Sequence, residues 1–155
     1  MTTKVASFRS TASFGKRQEY MAVAELLRLG HDVYMTLVDD QQIDCIIRQE
    51  KEGRLRYLDI QIKARSKDCA KKNAGRFAAM EIRHPWKNFY YIFYSDQAKK
   101  YWVIPSLKLI EEARRNRAGQ NKGKYTIDLC NATKKGIYPH PRFRKYEDAF
   151  DLLDS

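Results

Sequence analysis

The pattern of apolar and polar positions opens with a period of 3.6. Glu19, Ala22, Val23 and Leu26 fall at i, i+3, i+4 and i+7, one face of a helix, and Tyr20, Ala24 and Leu27 are expected to widen it. Ser13 or Thr11 can cap this helix, which runs to about Leu29 with Gly30 as its stop. Glu19 continues an inward-looking stripe, an odd place for a carboxylate. From His31 the period drops to two. Residues 31–38, 43–48 and 55–64 read as three strands, with a polar turn at 39–42 and a tight hairpin turn at Lys51-Glu52-Gly53-Arg54. A helix followed by an antiparallel meander is a compact α/β start.

Residues 65–76 are basic and rich in small side chains, and read as a mobile loop. Strands are expected over 77–82, 89–94 and 101–104. The middle one, Phe-Tyr-Tyr-Ile-Phe-Tyr, is apolar on both faces and therefore central. Ser106 caps a helix to about Arg117, a basic loop spans 117–124, and a short strand covers 125–129. Tyr146, Ala149, Phe150 and Leu153 suggest a closing helix over 145–153. No repeat or linker interrupts the chain, so one domain over 1–155 is expected.

Composition adds a partner. The 155 residues carry a net charge of +11, with 43% hydrophobic residues and two Trp, ten Tyr and seven Phe. That apolar share suits a folded globule. The positive field attracts polyanions, nucleic acid foremost, although a solvated basic surface is the bland alternative. The charge is clustered in Lys63, Arg65, Lys67, Lys71, Lys72 and Arg76; in Arg114, Arg115, Arg117, Lys122 and Lys124; and in Lys134, Lys135, Arg142, Arg144 and Lys145. Three isolated cysteines and three scattered histidines argue against a zinc site or a disulfide framework. The N-terminal stretch has no signal-peptide core and no run reaches membrane-spanning length, so a cytoplasmic protein with no membrane partner is expected.

The candidate chemistry sits on the meander. Alternation puts Asp59, Gln61 and Lys63 on one strand face, with Asp44 on the neighbouring strand. Phosphodiester cleavage needs charge neutralisation at the transition state and a hydroxide near neutral pH. Carboxylate-held Mg²⁺ supplies both, and a nearby ammonium adds stabilisation. Asp44 is the obvious metal ligand and Lys63 the obvious cation; Glu19 can complete the shell. Each has a bland reading too. Glu19 is a helix acid, Asp44 an acid paired with a lysine, Gln61 and Lys63 an exposed polar face, and Asp59 a partner for Arg48 or Arg56. Cys45 reads as buried. Trp86 sits in a loop from which it could stack a base.

The ordered set Glu19, Asp44, Gln61-Ile62-Lys63 resembles the PD-(D/E)xK nuclease superfamily in a QxK variant. The phrases Phe14-Gly15 through Glu19, Val38-Asp39-Asp40 with Ile43-Asp44, Ile60 through Ser66, Tyr101 through Ser106 and Lys145 through Leu153 look like a family of small stand-alone bacterial domains within it. That superfamily also holds Holliday-junction resolvases and a group I intron homing endonuclease. The resemblance implies a three-layer α/β/α restriction-endonuclease-like core with a central mixed sheet. It implies a Mg²⁺-dependent DNA endonuclease (Mn²⁺ can substitute) acting on duplex or branched DNA. Catalytic roles would fall to Glu19, Asp44, Gln61 and Lys63. The metal would be held by Asp44, Glu19, Gln61 and the Ile62 carbonyl, and DNA by Lys16, Arg17, Arg65, Lys67, Lys71 and Lys72. A homodimer or higher oligomer is implied. The departure is Gln61, a neutral amide where the pattern has an acid. It lowers metal affinity and motivates the alternative of a catalytically inactive nucleic-acid-binding module with the same fold.

Overall fold

The helical period around Glu19 is realised in a longer helix than its capping residues suggest. The computed structural model describes residues 4–38 and 41–155, with side chains from Ala12 onward. Asp39 and Asp40, half of the expected polar turn, lie outside the described residues. Helix α1 spans Lys4–Arg28, so Thr11 and Ser13 lie inside it and not at its start. Its C-terminus is where expected. Gly30 takes φ +90°, its N–H donates to Leu27 O at 3.0 Å, and His31 N–H donates to Leu26 O at 3.1 Å. This closure requires a left-handed residue at position 30. Ala22, Val23 and Leu26 are buried, but Tyr20 and Leu27 are more than half exposed. They sit about 100° round the helix from the buried stripe, beyond the reach of the sheet.

The meander forms as β1 (Asp32–Met35), β2 (Cys45–Lys51) and β3 (Arg54–Arg65). Glu52 and Gly53 both take positive φ, 53° and 73°, the two-residue turn whose twist matches a hairpin. With β5 (Phe89–Ser95) and β6 (Lys100–Pro105) these strands build a five-stranded sheet in the order β1-β2-β3-β5-β6. The β3/β5 pair is parallel and the rest antiparallel, so the sheet is mixed. Between β3 and β5, β4 (Arg76–Met80) leaves the sheet. It joins β7 (Arg114–Arg115) and β8 (Tyr125–Asp128) in a three-stranded sheet ordered β4-β8-β7. β9 (Cys130–Thr133) and β10 (Gly136–Pro139) form a separate two-stranded ribbon.

The large sheet is covered on both faces. Val23 and Leu26 of α1 pack on Cys45, Ile47, Leu58, Ile60, Ile92 and Val103. The opposite core gathers Phe89, Tyr91, Phe93, Trp102 and Ile104 under Phe77, Met80 and Ile127 of the small sheet and Leu109 of α2 (Ser106–Glu112). The result is a three-layer α/β architecture, as expected. Three local expectations change. The second helix ends at Glu112, and Arg114–Arg115 pair with Tyr125–Thr126 as a strand. The 65–76 segment contains a 3₁₀ turn at Lys71–Asn73. In place of a closing helix there are two 3₁₀ turns, Pro141–Tyr146 and Phe150–Asp154. Between those turns Glu147 bridges Trp102, Asp148 N–H donates to Tyr101 O at 2.8 Å, and Asp148 takes φ 48°. Covering the β6 edge outweighs the helical period there. Among the described residues, no helix is long and apolar enough to cross a membrane.

Candidate metal and phosphate site

Asp44 stands one residue before β2, and an irregularity places it. Cys45 is the partner of Ile60, yet the Asp44 N–H also donates to Ile60 O at 2.8 Å. Two residues of one strand share one of the other, a β-bulge that ends the ladder and re-aims the extra side chain. The Asp44 carboxylate then takes the ladder's place: Oδ2 accepts the Ile62 N–H at 2.7 Å. Thr36 pins the same stretch, its hydroxyl donating to Ile43 O at 2.7 Å and Asp44 O at 3.1 Å. Asp44 is 7% exposed, a depth at which an anion needs compensation. In a strand the N–H and C=O of one residue point to the same edge. The Ile62 carbonyl therefore faces the gap that Asp44 occupies.

Gln61 and Lys63 flank Ile62. They pair with Tyr91 and Phe93, whose rings lie in the core away from α1. Gln61 Oε1 is buried with no hydrogen-bond partner. Such an orphan costs on the order of 1–3 kcal/mol. Lys63 is half-buried and lines a cleft of about 230 Å³ with Arg65, Phe77 and Met80.

Glu19 approaches from the α1 layer. Its side chain is 15% exposed, with Lys16 Nζ 3.0 Å from Oε2 and donating to Oε1 at 3.3 Å. The hydrogen bond to Glu19 raises the Lys16 pKa above its ordinary value, and the Asp44 charge adds to this. Cys45 also feels both acids. Burial first, then Asp44 and Glu19, pushes its thiol up to about 12. Both acids thus act on Lys16 and Cys45, and Lys16 already engages both Glu19 oxygens.

Asp59 has a different role. Its Oδ2 accepts the Trp86 indole N–H at 3.0 Å. The Trp86 backbone is fastened in turn by buried Ser106, whose Oγ accepts from Trp86 N at 3.0 Å and donates to Trp86 O at 2.9 Å. The expected DNA contacts divide between two places. Lys16 and Arg17 are exposed on α1, Arg17 lying over the Phe14 ring at 5.6 Å. Lys67, Lys71 and Lys72 are exposed after β3. Arg65 is partly committed: its Nε donates to Arg76 O at 2.7 Å and its guanidinium lies over Phe77 at 5.5 Å.

Sequence reasoning assigned Tyr91 to the core, and its ring does stack with Phe89 and Phe93. Its hydroxyl is nevertheless buried without a partner, and burial pushes its pKa up. The available signal was small: the outer members of its stack are Phe, so Tyr91 alone brings a polar atom.

Among the described residues, no three His, Cys, Asp or Glu side chains gather as a metal site. The oxygen donors that adjoin along the chain are the Asp44 carboxylate, which holds the Ile62 N–H, the Ile62 carbonyl and the orphaned amide of the neighbouring Gln61. That is a hard, all-oxygen set suited to Mg²⁺ or Mn²⁺, with one negative charge at its centre. An ion there would supply the missing partner of Gln61 Oε1, so the residues fit such a group.

A search against known proteins finds no matching family model and no matching curated protein. Among solved structures, a bacterial homing endonuclease, I-Ssp6803I, superimposes with a TM-score of 0.56. The match covers 92% of this chain and 91% of that one at 19% sequence identity. The chain has a nuclease-like fold. At that identity the likeness extends to architecture. The helix, meander and mixed sheet that position Glu19, Asp44, Gln61 and Lys63 belong to the shared fold.

Proposed function

We propose that the protein is a divalent-metal-dependent endodeoxyribonuclease that hydrolyses phosphodiester bonds, of the PD-(D/E)xK type with Gln61 in the acid position. One observation carries this reading: Gln61 Oε1 is buried without a partner, on the residue next to the one whose N–H holds Asp44. A sheet that needed only a polar surface would leave that amide in water. Asp44, Gln61 and the Ile62 carbonyl would hold Mg²⁺ or Mn²⁺, with Glu19 released from Lys16 to orient a water or complete the shell. The bound ion would neutralise charge on the scissile phosphate and lower the pKa of an attacking water.

The protein's own groups do the rest. Asp44 and Ile62 fix the position of the metal-binding gap through the 2.7 Å hydrogen bond. Lys63, two residues after Gln61 on the same strand face, would bring a positive charge to the developing phosphorane. Phe77, Ala78 and Met80 wall the cleft in which Lys63 lies. The exposed lysines at 67, 71 and 72, with Lys16 and Arg17, draw and hold the DNA backbone. The basic surface and a second apolar helix face (Tyr20, Met21, Leu27) support a homodimer or larger assembly on duplex or branched DNA.

The test is a cleavage assay over plasmid, single-stranded and four-way-junction DNA with Mn²⁺ or Mg²⁺. Cleavage is expected for the wild type and lost, by at least about a hundredfold, in Lys63→Ala and Asp44→Ala. The second reading, a binding module without chemistry, is motivated by the neutral amide. It prevails if all substrates stay intact while DNA is bound.

A further inference from the structure

The ribbon formed by β9 and β10 has no role in the site described above, and its residues 131–135 and Tyr138 are exposed. Thr133 pairs with Gly136, Ala132 with Ile137, Asn131 with Tyr138 and Cys130 with Pro139. Alternation therefore separates its two faces. Cys130, Ala132, Ile137 and Pro139 make one side, of which Cys130, Ile137 and Pro139 are half-buried. Asn131, Thr133 and Tyr138 are exposed on the other. Gly136 takes φ +150°, and a Cβ there would come within 3.7 Å of the Tyr138 hydroxyl. The tyrosine ring thus lies along the polar face. Lys134 and Lys135 form the exposed tip, held by Thr133 Oγ1, which accepts from Lys135 N at 3.2 Å and donates to Gly136 O at 3.3 Å. From Leu129 to His140 there is no acid.

The base of the ribbon is rigid. Leu129 is fully buried, its N–H donating to Gly75 O at 2.8 Å while His140 N–H donates to Leu129 O at 2.8 Å. Backbones at Gly75 and Cys130 are so close that a Cβ on Gly75 would lie 2.6 Å from Cys130 N. Gly75 links the exposed lysines at 71 and 72 to β4, which lines the cleft of Lys63. The ribbon is therefore anchored a few residues from the proposed phosphate site.

We infer that this ribbon enters the major groove of duplex DNA and reads base edges there. Each strand has four residues, about 13 Å at strand rise, against a groove about 12 Å wide and 8.5 Å deep that admits a two-stranded ribbon. Lys134 and Lys135 grip phosphates at the tip. Asn131 supplies the paired donor and acceptor that match adenine. Tyr138 packs beside it. The inference rests on the nuclease reading for its partner, DNA, but not on cleavage.

The test is binding to a pool of random-sequence duplexes, carried out on a Lys63→Ala background without divalent metal. The Lys63→Ala protein is expected to enrich a consensus. The added pair Lys134→Ala/Lys135→Ala should weaken binding to all sequences and lower the salt slope by about two. Asn131→Ala should relax one position of the consensus by about 5- to 150-fold. Duplex RNA, whose deep major groove is too narrow for the ribbon, should compete poorly. Unchanged affinity, slope and consensus in the ribbon variants, or RNA competing as well as DNA, would overturn the inference. Ribbon-dependent selection by a wild type that never cuts DNA would uphold it and remove the nuclease reading alone.

Discussion

Two positions on one face of β3 carry polar groups two residues apart, and the fold treats them in opposite ways. At Asp59 the side chain is partly exposed and accepts the Trp86 indole N–H at 3.0 Å, while its backbone N–H donates to Asn88 O at 2.8 Å. At Gln61 the amide oxygen is buried and nothing among the described residues meets it. An acid that already has its partner is a structural fastener. A buried acceptor left open, on the residue before the one whose N–H holds Asp44, is the observation on which the proposed metal site rests. Position 61 carries a neutral amide, while the charge nearby, Asp59, is spent on a loop.

The comparison can be broken at either end. The largest effect is expected at the Gln61 end, where Asp44→Ala and Lys63→Ala remove cleavage. Asp44→Ala should also cost about 1–3 kcal/mol of folding stability in urea, because Ile62 N–H loses its acceptor in a buried place. Lys63→Ala should cost less, since Lys63 is half-buried at a cleft. If both variants lost activity only in proportion to stability, Lys63 would have no chemical part. At the Asp59 end the effect should be small and of another kind. Asp59→Ala should lower stability by about 1 kcal/mol through the lost Trp86 hydrogen bond and leave the cleavage rate per folded molecule within about twofold. A loss of cleavage as deep as that of Asp44→Ala would assign the metal charge to Asp59 and reverse the contrast.

Much of this was legible in the sequence. The Glu52-Gly53 turn, the meander, the doubly buried Phe89–Ser95 strand and the inward place of Glu19 follow from local periodicity and turn chemistry, which act over a few residues. What periodicity hides is register. The bulge at Asp44 exists only because Cys45 and Asp44 both face Ile60, and no local pattern records that. The β9–β10 ribbon was missed because Asn131-Ala132-Thr133 has little apolar alternation: the ribbon buries only one side. The closing helix failed for the opposite reason. Tyr146, Ala149, Phe150 and Leu153 do keep a helical spacing, yet residues 147–148 are recruited to the β6 edge. Alternation puts Asp59 and Gln61 on one face, and it is the Trp86 contact at Asp59 and the burial of the Gln61 amide that separate them.

The central claim is that Gln61 Oε1 is a metal ligand, and thermal unfolding of Gln61→Leu with and without Mn²⁺ tests it most directly. The leucine fills the same space without an orphaned acceptor, so without metal it should melt above the wild type. Adding Mn²⁺ at about one hundred times its dissociation constant should stabilise the wild type by about 2.7 kcal/mol and leave Gln61→Leu almost unmoved. A variant that melts below the wild type, or that keeps the full Mn²⁺ shift, would contradict the account.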